Sequence, residues 1–468
     1  MKSDPEYKLP PRLPQKSWLY SLVKQWVKLI IPVFFKEIVV EGQENIPASC
    51  AVILAPNHQN SFLDAVVTLC FLPRPVVSLA RANVFNHSIA GKILAALYMR
   101  PVFRQRDGVN TVERNKPIFD LTINDLLNGR AVLIFPEGNQ DFKRQLRSLQ
   151  KGFARICFGV LTKQQMPGTN IQEPQKPLVI VPVGINYTRH RWWRGRVYVV
   201  YGQPIDVGNY YQTYTELPQR GLRQITDDLA AKMQALIVHI APTEYYEVIN
   251  FLRRFYRFEQ VKKLHPSKTS TLPQRHKAEQ QIVNALNQYA QTQPDEMALL
   301  AQTTQLYLQQ LRAIELPFYS TLQVPITIKQ QMLAVVKHII LLPIYVWGLL
   351  HSGLPVFIAQ TLGINLVRKE PQFQASVMFA ASLLLFPLFW LLIFCLVLAI
   401  WQPVWWIAIL YAISIPLSGK ITIWGFEQLK RLKYQFRYAY YYRHHPDIIK
   451  RLNATCSEIY EWMRNIVP

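Results

Sequence analysis

The segment from Ser376 to Ile400, SVMFAASLLLFPLFWLLIFCLVLAI, contains no charged residue. An α-helix needs about 20 apolar residues to cross the hydrocarbon core of a bilayer, and this segment is longer than that. The segment Val404–Gly419 follows after a Trp-Gln-Pro turn and is also uncharged, although it is shorter. Together the two segments predict a helical membrane hairpin, so the chain is expected to fold in contact with a lipid bilayer.

An earlier apolar run, His338–Leu362, is interrupted by Pro343, Gly353 and Pro355. It fits a kinked span, a re-entrant segment or a pair of interfacial helices. The residues from Lys420 onward are markedly basic, and the positive-inside rule places them in the cytoplasm. The soluble part of the chain is also basic and is expected on the same side. This arrangement requires an even number of crossings, and we predict two.

The chain of 468 residues carries 52 basic and 29 acidic residues, a net charge of +23. Such an imbalance indicates a polyanionic partner: nucleic acid, an anionic lipid surface or a phosphorylated substrate. Aromatic residues near the apolar segments favour a membrane, and no nucleic-acid-binding motif is recognisable. Five scattered cysteines without a CxxC pair indicate neither a disulfide framework nor a zinc site.

Short β-rich runs alternate with helix-length segments between residues 37 and 245. The runs are Glu37–Gly42, Ala51–Ala55, Pro75–Ala80, Ala131–Phe135, Leu178–Ile185 and Arg196–Gly202. One intervening helix is expected over Thr111–Asn128, with Asn110 as its N-cap and Gly129 as its C-terminal stop. This alternation predicts an α/β domain with a mixed, mainly parallel sheet flanked by helices.

The rest of the chain divides into four further zones. Residues 1–36 contain an amphipathic run with four large apolar side chains near one helical face and two lysines away from it. These are Trp18, Leu22, Trp26 and Leu29, with Lys24 and Lys28. The pattern predicts a helix in the membrane interface, and a core helix is the alternative. Residues 246–330 are predicted to be a helical insertion or linker, 331–420 the membrane region and 421–468 a basic cytoplasmic tail.

The stretch NHQNSFLDA places His58 and Asp64 just after an apolar strand. In one regular helix, residues six apart point to different faces. The two side chains therefore meet only if His58 lies in the loop and the helix begins near Asn60 or Ser61. In that geometry the carboxylate orients the imidazole, whose other nitrogen can take a proton from a hydroxyl. Alternatively, Ser61 and Asp64 form a capping box that only starts the helix.

A second stretch, AVLIFPEGNQD, runs from a buried strand directly into Glu137 and Gly138. A glycine here allows the close approach of a ligand to the backbone, although the stretch taken alone favours a plain turn. Cationic side chains cluster around these two stretches, and phosphate binding is their natural use. They are Arg100, Arg104, Arg106, Lys143, Arg144, Arg147, Lys151 and Arg155. The four-residue spacing of the last three predicts that they line one helix face.

NHQNSFLDA, PVFR, FPEG and IVPVGINY, in this order and at these separations, resemble the glycerolipid acyltransferase family over residues 40 to 215. The resemblance implies an enzyme that transfers a fatty acyl group from a thioester donor to a hydroxyl of a phosphorylated glycerol. It also implies a role for each matching residue: His58 as general base, Asp64 as its orienting carboxylate, Arg104 as phosphate-binding residue, Glu137 and Gly138 as the acceptor-binding turn, and Pro182 on the acyl-donor side.

The chain departs from the family pattern at two points. Five residues separate His58 from Asp64, where the family has four, and Asn139-Gln140 replaces the threonine-arginine that follows FPEG. Phosphate contacts are therefore expected to shift to Arg147 and Lys151. The longer spacing, the helical zone and the membrane hairpin resemble the branch of fungal-type glycerol-3-phosphate/dihydroxyacetone-phosphate acyltransferases.

These features predict a membrane-bound acyltransferase that makes lysophosphatidic acid from glycerol-3-phosphate. Acylation of 1-acyl-glycerol-3-phosphate or another lysophospholipid is the alternative, and a non-catalytic membrane-binding protein is a rival from another class. No cofactor or metal is expected, because histidine alone can supply the base. The expected partners are the bilayer, acyl-CoA or acyl carrier protein and the phosphorylated acceptor, with no nucleic acid. The catalytic domain is expected on the cytoplasmic face of an inner membrane or of the endoplasmic reticulum.

Overall fold

The structure is a computed structural model that describes residues 13–85, 88–103, 111–166, 177–265, 270–320 and 326–468. Contacts divide the chain into two compact units. The first consists of the residues up to 237 together with 363–379, and the second of 238–362 together with 380–468. The first unit contains the sheet and the second is helical.

In the described residues, eight strands form one sheet in the first unit. They are β1 Glu37–Glu41, β2 Ala51–Pro56, β3 Val76–Arg81, β4 Met99–Val102, β5 Ala131–Leu133, β6 Leu178–Tyr187, β7 Arg196–Tyr201 and β8 Ile205–Asp206. The order is β1-β7-β6-β2-β5-β3-β4, with β8 paired to β6. Neighbours are parallel except where β6 meets β7 and β8. The prediction of a mixed, mainly parallel sheet is confirmed.

Seven helices flank this sheet in the described part of the first unit. They are α1 Trp18–Phe34, α2 Phe62–Leu69, α3 Ser88–Ala96, α4 Thr111–Leu127, α5 Gly152–Gln164, α6 Tyr211–Glu216 and α7 Pro218–Leu236. Every residue of β2 and β6 is buried. Central parallel strands covered on both faces are continuous apolar runs, which is why AVILA and LVIVPVGI were recognisable in the sequence.

The six predicted strands are confirmed, and the structure adds β4 and β8. The sequence of β4, Met-Arg-Pro-Val, does not predict a strand, because Arg100 is charged and Pro101 is a poor strand former. Arg100 is nevertheless buried, and its Nε lies 2.5 Å from Oδ2 of Asp125 on α4. The expectation that Arg100 belongs to a phosphate-binding set is therefore wrong, because its charge is used in this ion pair.

Helix α4 ends at Leu127, and Gly129 has a positive φ of 73°. This left-handed conformation is the usual termination by glycine, so the predicted stop is confirmed. The predicted N-cap, Asn110, lies outside the described residues.

Helix α1 has two apolar faces. Val27, Ile30, Ile31 and Phe34 are buried in the first unit. Trp18, Leu22, Trp26 and Leu29 are exposed, and the first of them is 77% accessible. One face of the helix is therefore part of the core, as the alternative prediction holds, and the predicted place of the other apolar face in the membrane interface stays a prediction.

The second unit contains eight helices in its described residues, two of which are shared with the first. They are α8 Tyr246–Leu264, α9 Leu272–Thr292, α10 Pro294–Ala313, α11 Ile328–Ile340, α12 Leu342–Asn365, α13 Gln374–Trp401, α14 Trp405–His444 and α15 Pro446–Ile466. Buried residues of α8, α9, α10 and α15 form one core. The C-terminal residues, predicted as a tail, therefore contribute a helix to this core.

Three helical segments in the described residues are long and apolar enough to cross a membrane, judged by length and composition only. They are α12, residues 371–401 including α13, and α14. The segment that contains α13 is the most apolar, with a mean hydropathy of 3.0 against 1.5 for each of the others. The predicted number of crossings stays a prediction.

Candidate active site

The loop that follows β2 is fixed to the neighbouring strand β6. The side-chain amide of Asn57 donates to the Ile185 carbonyl at 3.1 Å, and its oxygen accepts from the Ile185 N–H at 2.7 Å. This pair of bonds continues the backbone ladder by one residue. His58 is consequently held at the carboxyl-terminal edge of the sheet, where parallel α/β sheets place their ligand sites.

His58 and Asp64 meet in the way that their separation demands. His58 lies in the loop, α2 begins at Phe62, and Nδ1 of His58 lies 2.9 Å from Oδ2 of Asp64. The same carboxylate oxygen accepts from the N–H groups of Gln59 and Asn60 at 2.7 and 2.6 Å. The side chain of Asp64 is completely buried.

These contacts set the tautomer of the histidine. Oδ2 of Asp64 already accepts two backbone hydrogens, so it faces Nδ1 as an acceptor and Nδ1 carries the hydrogen. Nε2 then presents its lone pair, and in the described part of the chain nothing forms a hydrogen bond with it. A histidine in this state can accept a proton from a hydroxyl.

The capping-box alternative is excluded by the geometry at Ser61. Its side chain makes no capping hydrogen bond, and its φ of 49° is unusual for a residue with a Cβ. Asp64 accepts from Gln59 and Asn60 instead of from Ser61. The turn thus serves the histidine–carboxylate pair, and backbone strain of this kind gathers at functional sites.

Two further side chains, which the sequence analysis did not single out, hold the pair. The hydroxyl of Tyr187, the last residue of β6, donates to Oδ1 of Asp64 at 2.8 Å. The ring of Phe135 stacks on the imidazole of His58, with centroids 3.9 Å apart and planes 18° apart. Tyr187 and Phe135 belong to the sequence blocks IVPVGINY and FPEG. The occurrence of these blocks in the family order was the one feature of the sequence that could have pointed to the two residues.

Glu137 connects this pair to the next loop. Its Oε1 accepts from the His58 N–H at 2.8 Å, and its Oε2 accepts from the Arg147 N–H at 3.1 Å. Burial raises the pKa of Glu137 to about 7, against the opposing effect of the two backbone hydrogen bonds. Both oxygens are engaged inside the protein, which makes Glu137 the support of the His58 loop. Its role toward an acceptor stays a prediction.

Gly138 lies exposed beside this residue, with a φ of 67°. Its N–H donates to the Phe135 carbonyl at 3.1 Å, so this particular amide is not aimed at a developing oxyanion. Gln140 is another matter. It is buried, both polar atoms of its amide lack a hydrogen-bond partner within the described part of the chain, and the next residue, Asp141, donates its N–H to the His58 carbonyl. A polar substrate group would satisfy the Gln140 amide.

The structure brings Arg147 and Lys151 together, although not on a helix. The prediction of a common helix face with Arg155 is wrong, because α5 begins only at Gly152. The preceding segment is not helical, since the Arg147 N–H donates to Glu137 and the Gln150 N–H to the Pro136 carbonyl. Arg147, Lys151 and Arg223 line a cavity of about 350 Å³.

Other cations of the predicted set have different fates. The guanidinium of Arg144 is buried and donates to the Tyr187 carbonyl, so it fixes the end of β6. Arg155 is exposed on α5. Arg104, the predicted phosphate-binding residue, and Arg106 lie outside the described residues.

Pro182 is buried within β6. Along one edge, β6 pairs with β8 through Val179 and Ile180 and with β7 from Val183 onward. Pro182 lies in the gap between the two partners, where its missing N–H costs no ladder bond. This position explains the proline structurally, and its predicted place on the acyl-donor side stays a prediction.

Part of the chain, including the site, matches a known protein family. The family model described as Acyltransferase matches residues 37–186, the segment that carries the histidine, the carboxylate and FPEG. We call residues 37–186, which match this model, the acyltransferase domain. Together with the relatives described next, the match confirms the resemblance to glycerolipid acyltransferases for this part of the chain.

Two curated relatives of the acyltransferase domain act on different acceptors. Over 152 residues the chain is 26% identical to glycerol-3-phosphate O-acyltransferase 1 of Saccharomyces cerevisiae, covering 31% of this chain and 19% of the relative. Over 139 residues it is 30% identical to 1-acyl-sn-glycerol-3-phosphate acyltransferase LPAT1, chloroplastic, of Arabidopsis thaliana, covering 30% and 37%. The match thus spans less than two fifths of either relative.

Among solved structures, the crystal structure of the 1-acyl-sn-glycerophosphate (LPA) acyltransferase PlsC from Thermotoga maritima aligns with 44% of this chain and 79% of its own. The sequence identity is 21% and the TM-score 0.30.

Proposed function

We propose that the chain is a membrane-bound O-acyltransferase that moves a fatty acyl group from a thioester donor to glycerol-3-phosphate, with dihydroxyacetone phosphate as a further acceptor. The observation that carries this proposal is the buried His58–Asp64 pair, in which Nε2 of the histidine makes no hydrogen bond to any described residue. Nε2 takes the proton of the acceptor hydroxyl as its oxygen attacks the thioester carbonyl. The C–S bond of the thioester then breaks, and the leaving thiolate takes the proton from Nε2, so coenzyme A or the acyl carrier protein departs as a free thiol.

The phosphate of the acceptor needs cations near this base. Arg147 and Lys151 line the same cavity together with Asp227, and the backbone N–H of Arg147 is joined to the His58 N–H through Glu137. Arginine and lysine together suit a phosphate monoester, since they provide charge and directed donors. We therefore assign the phosphate to this cavity. The resemblance also implies a phosphate-binding role for Arg104, which lies outside the described residues.

The lipid product needs a route into the bilayer. The exposed apolar face of α1 and the three helices of membrane-spanning length favour a membrane-bound enzyme. We place the acyltransferase domain on the cytoplasmic face, because the residues that follow the apolar segments, from Lys420 onward, are rich in lysine and arginine.

The test is acyl transfer by the purified full-length protein in detergent, with glycerol-3-phosphate and 1-acyl-glycerol-3-phosphate offered in parallel. The variant His58→Ala should lose at least about a hundredfold in kcat, as expected for removal of a general base. His276→Ala, which removes a buried histidine of α9, is the matched control. Full activity in His58→Ala would contradict the mechanism.

The two acceptors decide between the two acylation steps. Turnover on glycerol-3-phosphate that disappears in His58→Ala supports the first step. Turnover only on 1-acyl-glycerol-3-phosphate moves the enzyme to the second, the alternative that the Arabidopsis relative represents.

A further inference from the structure

A serine from the far end of the first unit contacts the turn between His58 and Asp64. The N–H of Leu63 donates to Oγ of Ser376 at 3.0 Å, and the Ser376 hydroxyl donates to the carbonyl of Asn60. Ser376 is buried and lies in the first turn of α13. The contact joins residues 313 positions apart in the sequence.

This hydroxyl takes the place of a missing helix cap. An N-cap side chain normally accepts from the N–H of the second or third helical residue. The N-cap of α2 is Ser61, whose side chain makes no such bond because its backbone has turned to a φ of 49°. Leu63 is the second residue of α2, and its N–H is shared between the Asn60 carbonyl, at 3.0 Å, and Ser376, which takes the position of a capping side chain.

The first turns of α13 are themselves firmly held. Phe379 packs edge-to-face on Phe34, with centroids 5.3 Å apart, and both rings are buried. Gly363 at the end of α12 lies so close to Met378 that a Cβ there would come within 2.3 Å of its side chain. The position of Ser376 is thus fixed independently of the turn that it contacts.

We propose that Ser376 is a positioning residue for acyl transfer, because its hydroxyl caps α2 from a separate segment and fixes the turn whose amides orient Asp64 and thereby His58. It follows that residues 363–379 are part of the catalytic unit, although they lie far beyond the segment that matches the family model. The kinetic part of this inference rests on the proposed function, whereas its structural part does not.

The structural part is tested by hydrogen exchange measured by mass spectrometry on the full-length protein in detergent. Ser376→Ala should speed exchange in peptides that cover residues 57–69, because the Leu63 N–H and the Asn60 carbonyl keep only their 3.0 Å bond to each other and each lose the Ser376 hydroxyl as a second partner. Ser382→Ala removes a buried hydroxyl six residues further along α13 and should leave those peptides unchanged. Unchanged exchange in Ser376→Ala would overturn the proposal.

The kinetic part uses the same variants. A displaced base costs about ten- to a hundredfold in rate, so kcat of Ser376→Ala should fall by that factor while KM for both substrates stays near the parent value. Ser376→Thr retains the hydroxyl and should recover most of kcat. If Ser376→Ala fails to fold, Ser376→Cys replaces it, since a thiol is a weak donor of similar size.

A double-mutant cycle separates positioning from general stabilisation. In an Asp64→Asn background the histidine is already misoriented, so Ser376→Ala should reduce kcat no further. An undiminished effect in that background would show that the serine acts elsewhere, and would overturn the proposal. If the parent protein turns over none of the acceptors, the proposed function fails, and hydrogen exchange still decides whether Ser376 positions the turn.

Discussion

At the scale of single residues, Asp64 is the point on which the site depends. Its carboxylate accepts from His58, from two backbone N–H groups and from Tyr187, so both oxygens are occupied and the group has no freedom to rotate. Burial raises the pKa of Tyr187 well above its ordinary value, which keeps its hydroxyl protonated as a donor. The imidazole is therefore held on one side by Asp64 and on its flat face by Phe135.

Removing the hydroxyl of Tyr187 tests this dependence. A hydrogen bond to a charged group contributes about 1.5 to 3 kcal/mol. Tyr187→Phe keeps the ring and is expected to lower kcat by about tenfold or more. Tyr201→Phe removes another buried hydroxyl, which donates to the Thr68 carbonyl, and serves as the control in the same acyl-transfer assay. Equal losses in the two variants would argue against a special role for Tyr187.

The raised pKa of Glu137 has a consequence for stability. In the unfolded chain this carboxyl titrates near 4.5, and in the folded protein near 7. The neutral form is thus favoured by folding, so its stabilising contribution is full below pH 4.5 and is lost as pH rises through about 7. The loss amounts to about 1.4 kcal/mol per pH unit between the two values.

Glu137→Gln should remove this pH dependence. The side-chain amide of the variant turns its NH2 group toward one of the two backbone N–H donors, which then loses its acceptor. The variant is therefore expected to be less stable overall. Its unfolding temperature should nevertheless fall less than that of the parent between pH 5 and pH 8. Thermal unfolding at several pH values measures the difference, and parallel curves for the two proteins would contradict the assignment.

At the scale of elements, β6 organises the site. It pairs with β2 on one side and with β7 and β8 on the other, receives Asn57 at Ile185, and ends in Tyr187. Because side chains alternate between the two faces of a strand, a shift of one residue would turn Tyr187 away from Asp64. The length of this strand is therefore fixed by the site at its end.

Helix α1 is expected to lie in the membrane interface with its exposed stripe in lipid. Replacing Trp18 and Trp26 by Phe should remove a measurable part of the fluorescence quenching that lipids with brominated acyl chains cause in the protein's 11 tryptophans. Trp193→Phe changes a buried tryptophan of the first unit and should leave the quenching unchanged. The interfacial assignment fails if all the variants are quenched alike.

The elements also show where sequence reasoning stops. Continuous apolar strands were predictable because burial on both faces demands them, whereas β4 was not, since its arginine is neutralised by a partner on α4. The segment before α5 has helical charge spacing, but its amides are needed by Glu137 and Pro136. In these two segments, tertiary interactions override the structure that the local sequence pattern predicts.

At the scale of the whole molecule, the number of membrane crossings is a prediction. Three helices qualify by length, yet the basic residues are expected on one side, so we expect α13 and α14 to cross and α12 not to. In a cysteine-free variant, Thr292→Cys and Lys450→Cys should react with an impermeant maleimide from one side of sealed vesicles, and Gln402→Cys from the other. Reaction of positions 292 and 450 from opposite sides would show an odd number of crossings.

The candidate site was predictable only in part at this scale. The meeting of His58 and Asp64 followed from their spacing, because helix geometry leaves one way for them to touch. Tyr187 and Ser376 are 123 and 313 positions away from the residues that they contact, Asp64 and Leu63. No local pattern carries such information, and it becomes visible only when the sheet and the first turns of α13 are in place.

The long sequence separation between Ser376 and Leu63 also sets the order in which parts of the site can form during synthesis. Ribosomes add about 5–20 residues per second, so roughly 15 to 60 s separate the emergence of Leu63 from that of Ser376. The sheet can form in this interval, but α2 stays without its cap until α13 has been made. The nascent chain therefore acquires a fully ordered base only once α12 and the start of α13 have left the ribosome. The completion of the site is thereby tied to the appearance of the segments that we propose to enter the bilayer.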